Sequence, residues 1–419
     1  MQRIVVHPNG PLDGRVRISG AKNSVLKLMA ATVLAEGTFV LRNVPALDDV
    51  RAMADLLRSM GLTVDHSGET LTVVRPAEID PVAPYELVER MRASIVVLGP
   101  LLARLGQARV ALPGGDDFGP RPIDMHLQSL ERLGATFTTA HGYIEGRADH
   151  LVGTRLFLDF PSVGATENAL MAAVLAKGET VIENAAREPE IADLAAFLNR
   201  MGASILGAGS PTITIEGVDE LSPVEHEVIP DRIEAATFLA ALGVAGGEIV
   251  LEGARPDHMD MLMQKLGDMG VRTSSHPDGV WGMARGRLGS TDVSTLPYPG
   301  VATDYKPLLV SMLSVADGVG IVAENIFSGR FRYVDELVRM GADIRTEDHY
   351  AIVRGVEKLS GAPVRAHDIR AGAALVVAGL GAEGETVVAD AHHIDRGYDR
   401  FVEKLQALGA EVERQSGEG

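Results

Sequence analysis

Leu57-Arg58-Ser59-Met60-Gly61 is the first copy of a phrase, Leu-x-x-Leu/Met-Gly, that sets the architecture of this chain. The phrase returns along the sequence, and its copies end at Gly61, Gly134, Gly202, Gly270, Gly341 and Gly409. These glycines follow one another at intervals of 68 to 73 residues. A near-constant period is typical of one folding unit that has been copied several times. The spacing therefore predicts six repeats of about 70 residues each.

Each repeat contains an apolar helix, a short β-branched strand, an amphipathic helix and one or two closing strands. In the first repeat the apolar helix covers 23–37, the strand is Phe39-Val40-Leu41, and the closing strands cover 63–64 and 71–74. The second helix ends at the glycine of the phrase, which can adopt a left-handed cap. The first helix is apolar nearly all round, so we expect it to be buried, whereas the two-faced second helix should cover a sheet.

The length of the chain predicts two or three domains. It has 419 residues, 46% of them apolar and 4% aromatic, which is too large for one hydrophobic core. Six repeats divide naturally into two lobes of three. We expect residues 1–21 and 230–419 to form a C-terminal lobe that is completed by the strand at residues 3–6. Residues 22–229 should form the other lobe.

Charge and composition exclude several classes of function. The net charge of −18 disfavours nucleic acid, because phosphate backbones need clustered Lys and Arg. The absence of cysteine excludes disulfides, thiolate metal sites and a thiol nucleophile. Apolar runs such as 94–102 are too short to span a membrane, and residues 1–6 do not resemble a signal peptide. We therefore expect neither a nucleic-acid nor a membrane partner.

The sequence predicts no metal and no cofactor. His126, His392 and His393 lack the spacing of metal ligands. No glycine-rich nucleotide loop follows a predicted strand.

Charged residues stand at the starts of the apolar helices. A helix N-terminus has unpaired N–H groups and a partial positive charge, so Lys or Arg there opposes the helix dipole. Cations in such places indicate a function, and Arg binds carboxylate and phosphate bidentately. The second, amphipathic helices add Arg121, Arg330 and Arg396. If the helix ends face one cleft, a polyanion site is expected from Lys22, Arg92, Arg121, Arg330, Arg370 and Arg396. The alternative for each residue is a solvated side chain or a partner for a neighbouring Asp.

Carboxylates at two further places have two interpretations. Asp304, like Asp231 and Glu234, lies at a predicted helix start, where it is an N-cap or a general base. The loop 112–122 contains three glycines, three prolines and two adjacent carboxylates at its tip. Those carboxylates are turn formers, or the loop is a lid that brings an acid or base to a substrate.

Long motifs across essentially the whole chain resemble the bacterial UDP-N-acetylglucosamine enolpyruvyl transferases. They are Ile18-Ser19-Gly20-Ala21-Lys22-Asn23, Met91-Arg92-Ala93-Ser94, Pro113-Gly114-Gly115, Arg121-Pro122-Ile123-Asp124, Ser162-Val163-Gly164-Ala165-Thr166, Glu183-Asn184-Ala185-Ala186-Arg187-Glu188-Pro189-Glu190, Pro230-Asp231-Arg232-Ile233-Glu234 and His393-Ile394-Asp395-Arg396-Gly397-Tyr398. The resemblance implies a two-lobed inside-out α/β barrel, the enolpyruvyl transferase fold, with six repeated βαβαββ-like units. It also implies that the lobe at 22–229 is catalytic and carries a mobile loop at 112–122.

The resemblance implies an activity. The enolpyruvyl group of phosphoenolpyruvate would pass to the 3′-hydroxyl of UDP-N-acetylglucosamine by addition and elimination, with release of phosphate. This would be the first committed step of peptidoglycan synthesis in the cytoplasm, which links the chain to cell-wall biogenesis, cell shape, the cell cycle and cell division. The expected partners are these two small molecules, and the oligomeric state stays open.

The resemblance also assigns roles to residues. The phosphate of phosphoenolpyruvate would contact Lys22, Arg121 and Arg396, and its carboxylate Arg330 and Arg370. Asn23 would contact both substrates, and Asp304 would be the base for the sugar hydroxyl. The catalytic residues would be Lys22, Asp116, Asp304 and Arg396. The UDP-sugar site would comprise Asn23, Arg92, Arg121, Asp124, Met125, Ser162, Val163, Gly164, Asp304, Ile326 and Phe327.

Departures from the family pattern keep alternatives open. Asp116 stands at the loop tip, where most of the family has Cys. A protonated carboxyl group can still donate a proton, but it cannot be alkylated as a thiolate is. This difference predicts resistance to fosfomycin. The usual Phe-Pro-Thr-Asp is Val301-Ala302-Thr303-Asp304 here. Other changes near the acceptor site are Tyr305, Lys306, Ser328 and Gly329.

These changes define the alternatives. The first is a paralogue that enolpyruvylates another uridine nucleotide, such as UMP in nucleoside-antibiotic biosynthesis. The less favoured alternatives are the sibling enzyme that acts on shikimate 3-phosphate and a catalytically inactive regulatory homologue.

Overall fold

A computed structural model describes residues 2–112, 122–327 and 329–416. Asp116, Arg121 and Ser328 lie outside these described residues. The chain divides into two compact units. Of the described residues, 2–19 and 230–416 form the terminal unit, and 20–112 and 122–229 form the central unit. The lobe boundaries inferred from the sequence, at residues 21 and 229, stay a prediction.

The helices follow the predicted alternation of apolar and amphipathic segments. In the described residues the α-helices are α1 Lys22–Ala31, α2 Asp48–Ser59, α3 Tyr85–Val88, α4 Leu98–Leu105, α5 Asp124–Arg132, α6 Val163–Ala173, α7 Pro189–Arg200, α8 Arg232–Ala245, α9 Asp260–Asp268, α10 Lys306–Leu313, α11 Tyr333–Arg339, α12 Ile369–Leu380, α13 His392–Asp395 and α14 Phe401–Ala407. Short 3₁₀ helices cover Thr32–Leu34, Arg92–Val97 and Pro256–His258. Over the described residues, no helix is long and apolar enough to cross a membrane.

The strands are short, as β-branched segments between turns predict. In the described residues they are β1 Gln2–His7, β2 Leu12–Arg17, β3 Gly37–Arg42, β4 Thr63–Ser67, β5 Thr70–Arg75, β6 Val82–Ala83, β7 Gln107–Ala111, β8 Thr136–Ala140, β9 Tyr143–Arg147, β10 Arg155–Phe157, β11 Glu179–Glu183, β12 Ser204–Leu206, β13 Thr212–Glu216, β14 Glu225–Glu227, β15 Gly247–Glu252, β16 Arg272–His276, β17 Gly279–Ala284, β18 Val293–Ser294, β19 Val319–Ala323, β20 Asp343–Glu347, β21 Tyr350–Arg354, β22 Pro363–Arg365, β23 Thr386–Ala389 and β24 Glu411–Ser416.

Six sheets of four strands, counted over the described residues, share one pattern. Their orders are β14-β3-β5-β4, β6-β7-β9-β8 and β10-β11-β13-β12 in the central unit, and β2-β15-β17-β16, β18-β19-β21-β20 and β22-β23-β1-β24 in the terminal unit. In each sheet the first pair is parallel and the others are antiparallel. Three sheets take one strand from a distant part of the chain, namely β14, β2 and β1. With these strands and two helices for each sheet, all six sheets have a βαβαββ-like pattern, so the predicted repeat is confirmed.

The Leu-x-x-Leu/Met-Gly phrase is a helix-ending motif. All six glycines have φ between +88° and +111°, where a side chain would be strained. In each copy the glycine N–H donates to the residue three positions earlier, and the next N–H donates to the leading leucine, as Gly61 does to Arg58 and Leu62 to Leu57. This is the Schellman arrangement, which satisfies carbonyl groups at the end of a helix. The phrase therefore recurs because each amphipathic helix must stop and turn into its closing strand.

The first strand of the chain belongs to the last sheet. Val5 of β1 lies opposite Val387 of β23 and Glu413 of β24, both in antiparallel pairing. The sixth repeat has only one closing strand of its own, and β1 takes the missing place. The prediction that the N-terminal strand pairs within the C-terminal repeats is confirmed.

The apolar helices lie inside and the sheets outside. In the terminal unit α8, α10 and α12 pack against one another, and nearly all their residues are buried. In the central unit α4 packs against α6, and α1 is buried along most of its length. Each unit has its own hydrophobic core. This is the inside-out α/β arrangement that the resemblance implies.

Candidate active site

The described candidate residues are distributed over both units. In the terminal unit, Asp304 brings two predicted cations together. Its Oδ1 lies 3.0 Å from Arg330 Nη2 and 3.6 Å from Arg370 Nε. Both arginine side chains are only 4% exposed, whereas the Asp304 side chain is 28% exposed. The carboxylate is thus the accessible member of a cluster whose positive charges are buried.

Asp304 lies just before α10 and keeps a partly accessible carboxylate. Helix α10 begins at Lys306, one residue later than a cap at Asp304 would require, and its N-cap residue Tyr305 makes no side-chain capping bond. Asp231 behaves differently, because it caps α8 and accepts hydrogen bonds from Ile233 and Glu234 N–H. Asp304 therefore contacts the arginines and Asp231 has a structural role.

Arg370 is fixed at the start of a buried helix. Asp368 caps α12 and accepts from the N–H groups of Arg370 and Ala371, which offsets the cation placed at this helix end. The Arg370 guanidinium lies 5.2 Å from the centroid of the Tyr398 ring. Burial opposes the charge of Arg370, but Tyr398 and Asp304 raise its pKa above the ordinary value. Arg370 is therefore a permanent cation.

Arg330 and Arg396 lie beside short helices rather than inside the amphipathic ones. Arg330 precedes α11, and Asp304 raises its pKa although burial opposes the charge. Arg396 follows α13 and is half-buried. Its neighbour Gly397 lies against Ile369 and the Arg370 guanidinium. The structure therefore places the Arg396 backbone near Arg370.

Ile326 and Phe327 are held by a buried carboxylate that the sequence did not single out. Their backbone N–H groups donate to Glu324 Oε1 at 2.8 and 3.0 Å. Both side chains are half-buried, and Ser328 beside them lies outside the described residues. No local sequence pattern indicates a role for Glu324, which directly follows strand β19.

In the central unit, Lys22 starts α1 beside a partner from the second helix. Lys22 Nζ lies 2.9 Å from Asp49 Oδ2. Gly20, just before α1, lies so close to the backbone of Asn43 that no side chain fits there. A Cβ on Gly20 would lie 1.8 Å from the Asn43 carbonyl oxygen. Asn23 follows Lys22 and is half-buried; its carbonyl accepts a hydrogen bond from Lys27 Nζ at 2.8 Å.

His126 organises the residues predicted for the uridine diphosphate. Its Nδ1 lies 2.8 Å from Asn168 Nδ2, and a Cβ on Gly164 would lie 2.8 Å from its ring. Burial, with a further effect of Arg92, lowers the pKa of His126 to about 4, while Asp124 opposes the shift. His126 is therefore a neutral ring near neutral pH, and Arg92 supplies the positive charge of this set.

The other predicted residues lie close to His126 in sequence or at the start of α6. Met125 is half-buried in α5, and Asp124 at its first position is exposed. Ser162 caps α6 by accepting from Ala165 N–H at 3.3 Å, so the helix begins at Val163. The N–H groups of this first turn point outward from a helix start, which suits an anion.

These sets can bind anions and place one carboxylate among them. Arg330 and Arg370 offer planar forks that fit carboxylate or phosphate, and Asp304 can accept a proton in the same place. In the described part of the chain, no group of three or more His, Asp or Glu side chains is arranged to hold a metal ion. Asp116 and Arg121, both predicted site residues, lie outside the described residues.

Comparison with known proteins identifies the family. The profile of the family described as EPSP synthase (3-phosphoshikimate 1-carboxyvinyltransferase) matches residues 6–405. UDP-N-acetylglucosamine 1-carboxyvinyltransferases of Mycolicibacterium paratuberculosis and Nitratidesulfovibrio vulgaris are 51% and 49% identical to the chain, over 413 and 417 residues. These alignments cover 99% of the chain and 99–100% of the relatives.

Solved structures agree with this result. The enolpyruvyl transferase NikO from Streptomyces tendae superposes with a TM-score of 0.89 at 27% identity, covering 100% of the chain and 99% of NikO. EPSP synthase from Acinetobacter baumannii shares the fold, with a TM-score of 0.75 at 20% identity over 99% of the chain and 100% of that protein. The chain is thus an enolpyruvyl transferase by fold and belongs to the family of the UDP-N-acetylglucosamine 1-carboxyvinyltransferases.

Proposed function

We propose that this enzyme transfers the enolpyruvyl group of phosphoenolpyruvate to the 3′-hydroxyl of UDP-N-acetylglucosamine and releases phosphate. The observation that carries the proposal is the Asp304 carboxylate, accessible and held by two buried arginines. A transfer of this kind needs cations for a donor with carboxylate and phosphate groups, and a base for the acceptor hydroxyl. The relatives named for this reaction are about half identical to the chain over its whole length.

In the terminal unit, Arg330 and Arg370 would bind the carboxylate of phosphoenolpyruvate, and Arg396 its phosphate. Asp304 would take the proton of the 3′-hydroxyl as the oxygen bonds to C2 of the donor. A proton adds to C3 at the same stage, for which Asp116 is the proposed acid. Loss of a proton from C3 and breakage of the C2–O bond to phosphate then restore the double bond. Fixed cations favour the charge that develops on the donor.

In the central unit, Lys22, Asn23 and Arg121 would contact the donor, and Asn23 the sugar as well. Lys22 is already oriented by Asp49. The uridine diphosphate would lie against the set around His126. The proposed set is Arg92, Arg121, Asp124, Met125, Ser162, Val163 and Gly164.

The reaction would make the enzyme part of peptidoglycan synthesis in the cytoplasm. That role would connect it to cell-wall biogenesis, cell shape, the cell cycle and cell division. Its partners would then be the two small-molecule substrates.

A paralogue that acts on another uridine nucleotide, such as UMP, is the second candidate, because Val301, Ala302 and Tyr305 depart from the family pattern beside Asp304. The relatives that are 49–51% identical to the chain are named for UDP-N-acetylglucosamine, whereas NikO is 27% identical. This difference in identity supports the UDP-sugar as the acceptor. Phosphate release should be measured with phosphoenolpyruvate and each of UDP-N-acetylglucosamine, UMP and shikimate 3-phosphate. We expect release with the UDP-sugar alone. Release with UMP alone would select the paralogue, and release with none of them the inactive homologue.

We predict that fosfomycin does not inactivate the enzyme. The chain has no cysteine, so no thiolate is present for the epoxide to alkylate. Turnover should be followed after incubation with fosfomycin, beside a variant in which Asp116→Cys restores the thiol. The variant should lose activity with time and the natural enzyme should not. Rapid loss of activity in both would contradict the prediction.

A further inference from the structure

A buried ion pair lies behind the contact between Asp304 and Arg330. Lys306 Nζ is 2.9 Å from Glu324 Oε2, and neither side chain is exposed to solvent. The Lys306 ammonium also donates to the carbonyl oxygen of Arg330 and lies 3.8 Å from the centroid of the Phe331 ring. Lysine and glutamate are rarely this completely buried, so the pair requires an explanation.

Glu324 distributes its hydrogen bonds unequally between its two oxygens. Oε1 accepts from Thr295 Oγ1 at 2.8 Å and from the N–H groups of Ile326 and Phe327. Oε2 accepts from Lys306 and from Thr303 Oγ1 at 2.8 Å. One oxygen therefore holds the 326–327 segment, and the other holds the segment that contains Asp304.

The second oxygen is linked to the reacting carboxylate by a short chain of contacts. Thr303 Oγ1 donates to Glu324, so its lone pairs face Arg330, and it accepts from Arg330 Nη1 at 3.1 Å. Arg330 Nη2 then lies 3.0 Å from Asp304 Oδ1. Lys306 contacts two members of this chain, the Glu324 carboxylate and the Arg330 backbone carbonyl.

Stability alone does not account for such a pair. Taking two charges out of water is energetically costly, and apolar residues of similar size often replace a buried pair without loss of stability. The remaining use of a fully hydrogen-bonded ion pair is to fix one arrangement of its neighbours. Here those neighbours are Thr303, Arg330 and, through them, Asp304.

We propose that Lys306 is a positioning residue for the transfer reaction, because it keeps Glu324 ionised and so fixes Thr303, Arg330 and Asp304 in their working geometry. The inference rests on the proposed function of Asp304. Lys306 itself does not contact a substrate in this proposal and acts through Glu324.

The ionisation of the pair agrees with this role. Burial lowers the pKa of Lys306 to about 8, although Glu324 opposes the shift. Burial also works against the charge of Glu324, yet the Lys306 ammonium and the donated hydrogen bonds bring its pKa below the ordinary value. Arg330, Tyr333 and Asp368 are the other titratable or charged groups around Lys306. Lys306 thus stays charged below about pH 8 and loses its charge above that pH.

The test compares four variants with the natural enzyme in phosphate release from phosphoenolpyruvate and UDP-N-acetylglucosamine. Lys306→Met removes the charge and leaves Glu324 alone, and Lys306→Arg keeps a cation that does not titrate in this range. The double variant Lys306→Met with Glu324→Gln removes both charges. Lys358→Met is the matched control, because Lys358 is an exposed lysine of the same unit. Urea unfolding of each variant is measured in parallel.

We expect Lys306→Met to lower kcat about tenfold to a hundredfold, as misplaced catalytic groups do. KM for the UDP-sugar should stay within about twofold, because Glu324 Oε1 still holds Ile326 and Phe327. The double variant should recover the urea midpoint but not kcat. The kcat of the natural enzyme should fall as pH rises through about 8, because Lys306 loses its charge there. Lys306→Arg should abolish that fall.

Other results would overturn the inference. If the double variant regained kcat together with its urea midpoint, the pair would be structural only. An unchanged kcat in Lys306→Met would have the same meaning. If the natural enzyme released no phosphate with any acceptor, the proposed function would fail and the inference with it, which distinguishes the two cases.

Discussion

Asp304 lies 3.0 Å from one buried arginine and 3.6 Å from another, and it keeps a solvent-accessible carboxylate. Asp304→Asn preserves the shape of this side chain but removes its ability to take a proton. We predict a fall in kcat of about 10²- to 10⁴-fold, the usual contribution of a general base. The dissociation constant for UDP-N-acetylglucosamine should change little.

The matched control for this prediction is Asp317→Asn. The Asp317 side chain is 82% exposed and lies in the same unit, so the variant should retain kcat. Steady-state kinetics and calorimetric titration of the nucleotide sugar measure the two quantities. Unchanged turnover in Asp304→Asn would remove Asp304 from the mechanism.

At the residue scale, the sequence predicted the cations of the site better than the carboxylates that pair with them. Lys22 and Arg370 could be singled out because cations at helix starts oppose the helix dipole. Their partners Asp49 and Asp304 come from other repeats or other elements, and no local pattern links them. Glu324 and Asn168 could not be found at all, because their importance lies in hydrogen bonds made after folding.

The elements that present these residues depend on their N-caps. Asp368 caps α12 through hydrogen bonds of 2.8 and 2.9 Å to the first N–H groups of the helix. We predict that Asp368→Ala destabilises the protein by about 1 kcal/mol, the typical loss of a cap. Asp368→Asn retains a hydrogen-bond acceptor, so it should lower the free energy of unfolding by a few tenths of a kcal/mol at most. Urea midpoints of the two variants check the difference, and equal midpoints would show that the cap does not stabilise α12.

At the element scale, the sequence predicted helix ends well and helix starts less well. The six ends were clear because the Schellman motif requires glycine. The starts were less clear, since Ser, Thr and Asp are common throughout the chain. Arg92 begins a 3₁₀ helix rather than the α-helix itself, and the N-cap of α10 is Tyr305 rather than Asp304. These shifts are small in sequence but decide which groups the carboxylates contact.

The terminal unit is closed by the first strand of the chain. Ile4 of β1 is fully buried, and β1 separates β23 from β24. We predict that Ile4→Ala destabilises this unit by about 2–5 kcal/mol, because it leaves a cavity in the core. Hydrogen exchange should show faster exchange in β23 and β24, while β11 and β13 of the central unit stay protected.

Arg3→Ala is the control for this variant, because Arg3 is an exposed neighbour on the same strand. It should leave the exchange of both units unchanged. If Ile4→Ala exposed the central unit equally, the two hydrophobic cores would not be independent.

At the scale of the whole molecule, the repeat period predicted the fold, since six copies of one unit admit few arrangements. The activity was implied by the resemblance of the motifs to a known family, and Asp304 with its two arginines supports it. The most direct test is the mass of the nucleotide product in a reaction with phosphoenolpyruvate and UDP-N-acetylglucosamine. The account predicts that the nucleotide gains one enolpyruvyl group for each phosphate released. Phosphate release without that gain, or no release, would contradict it.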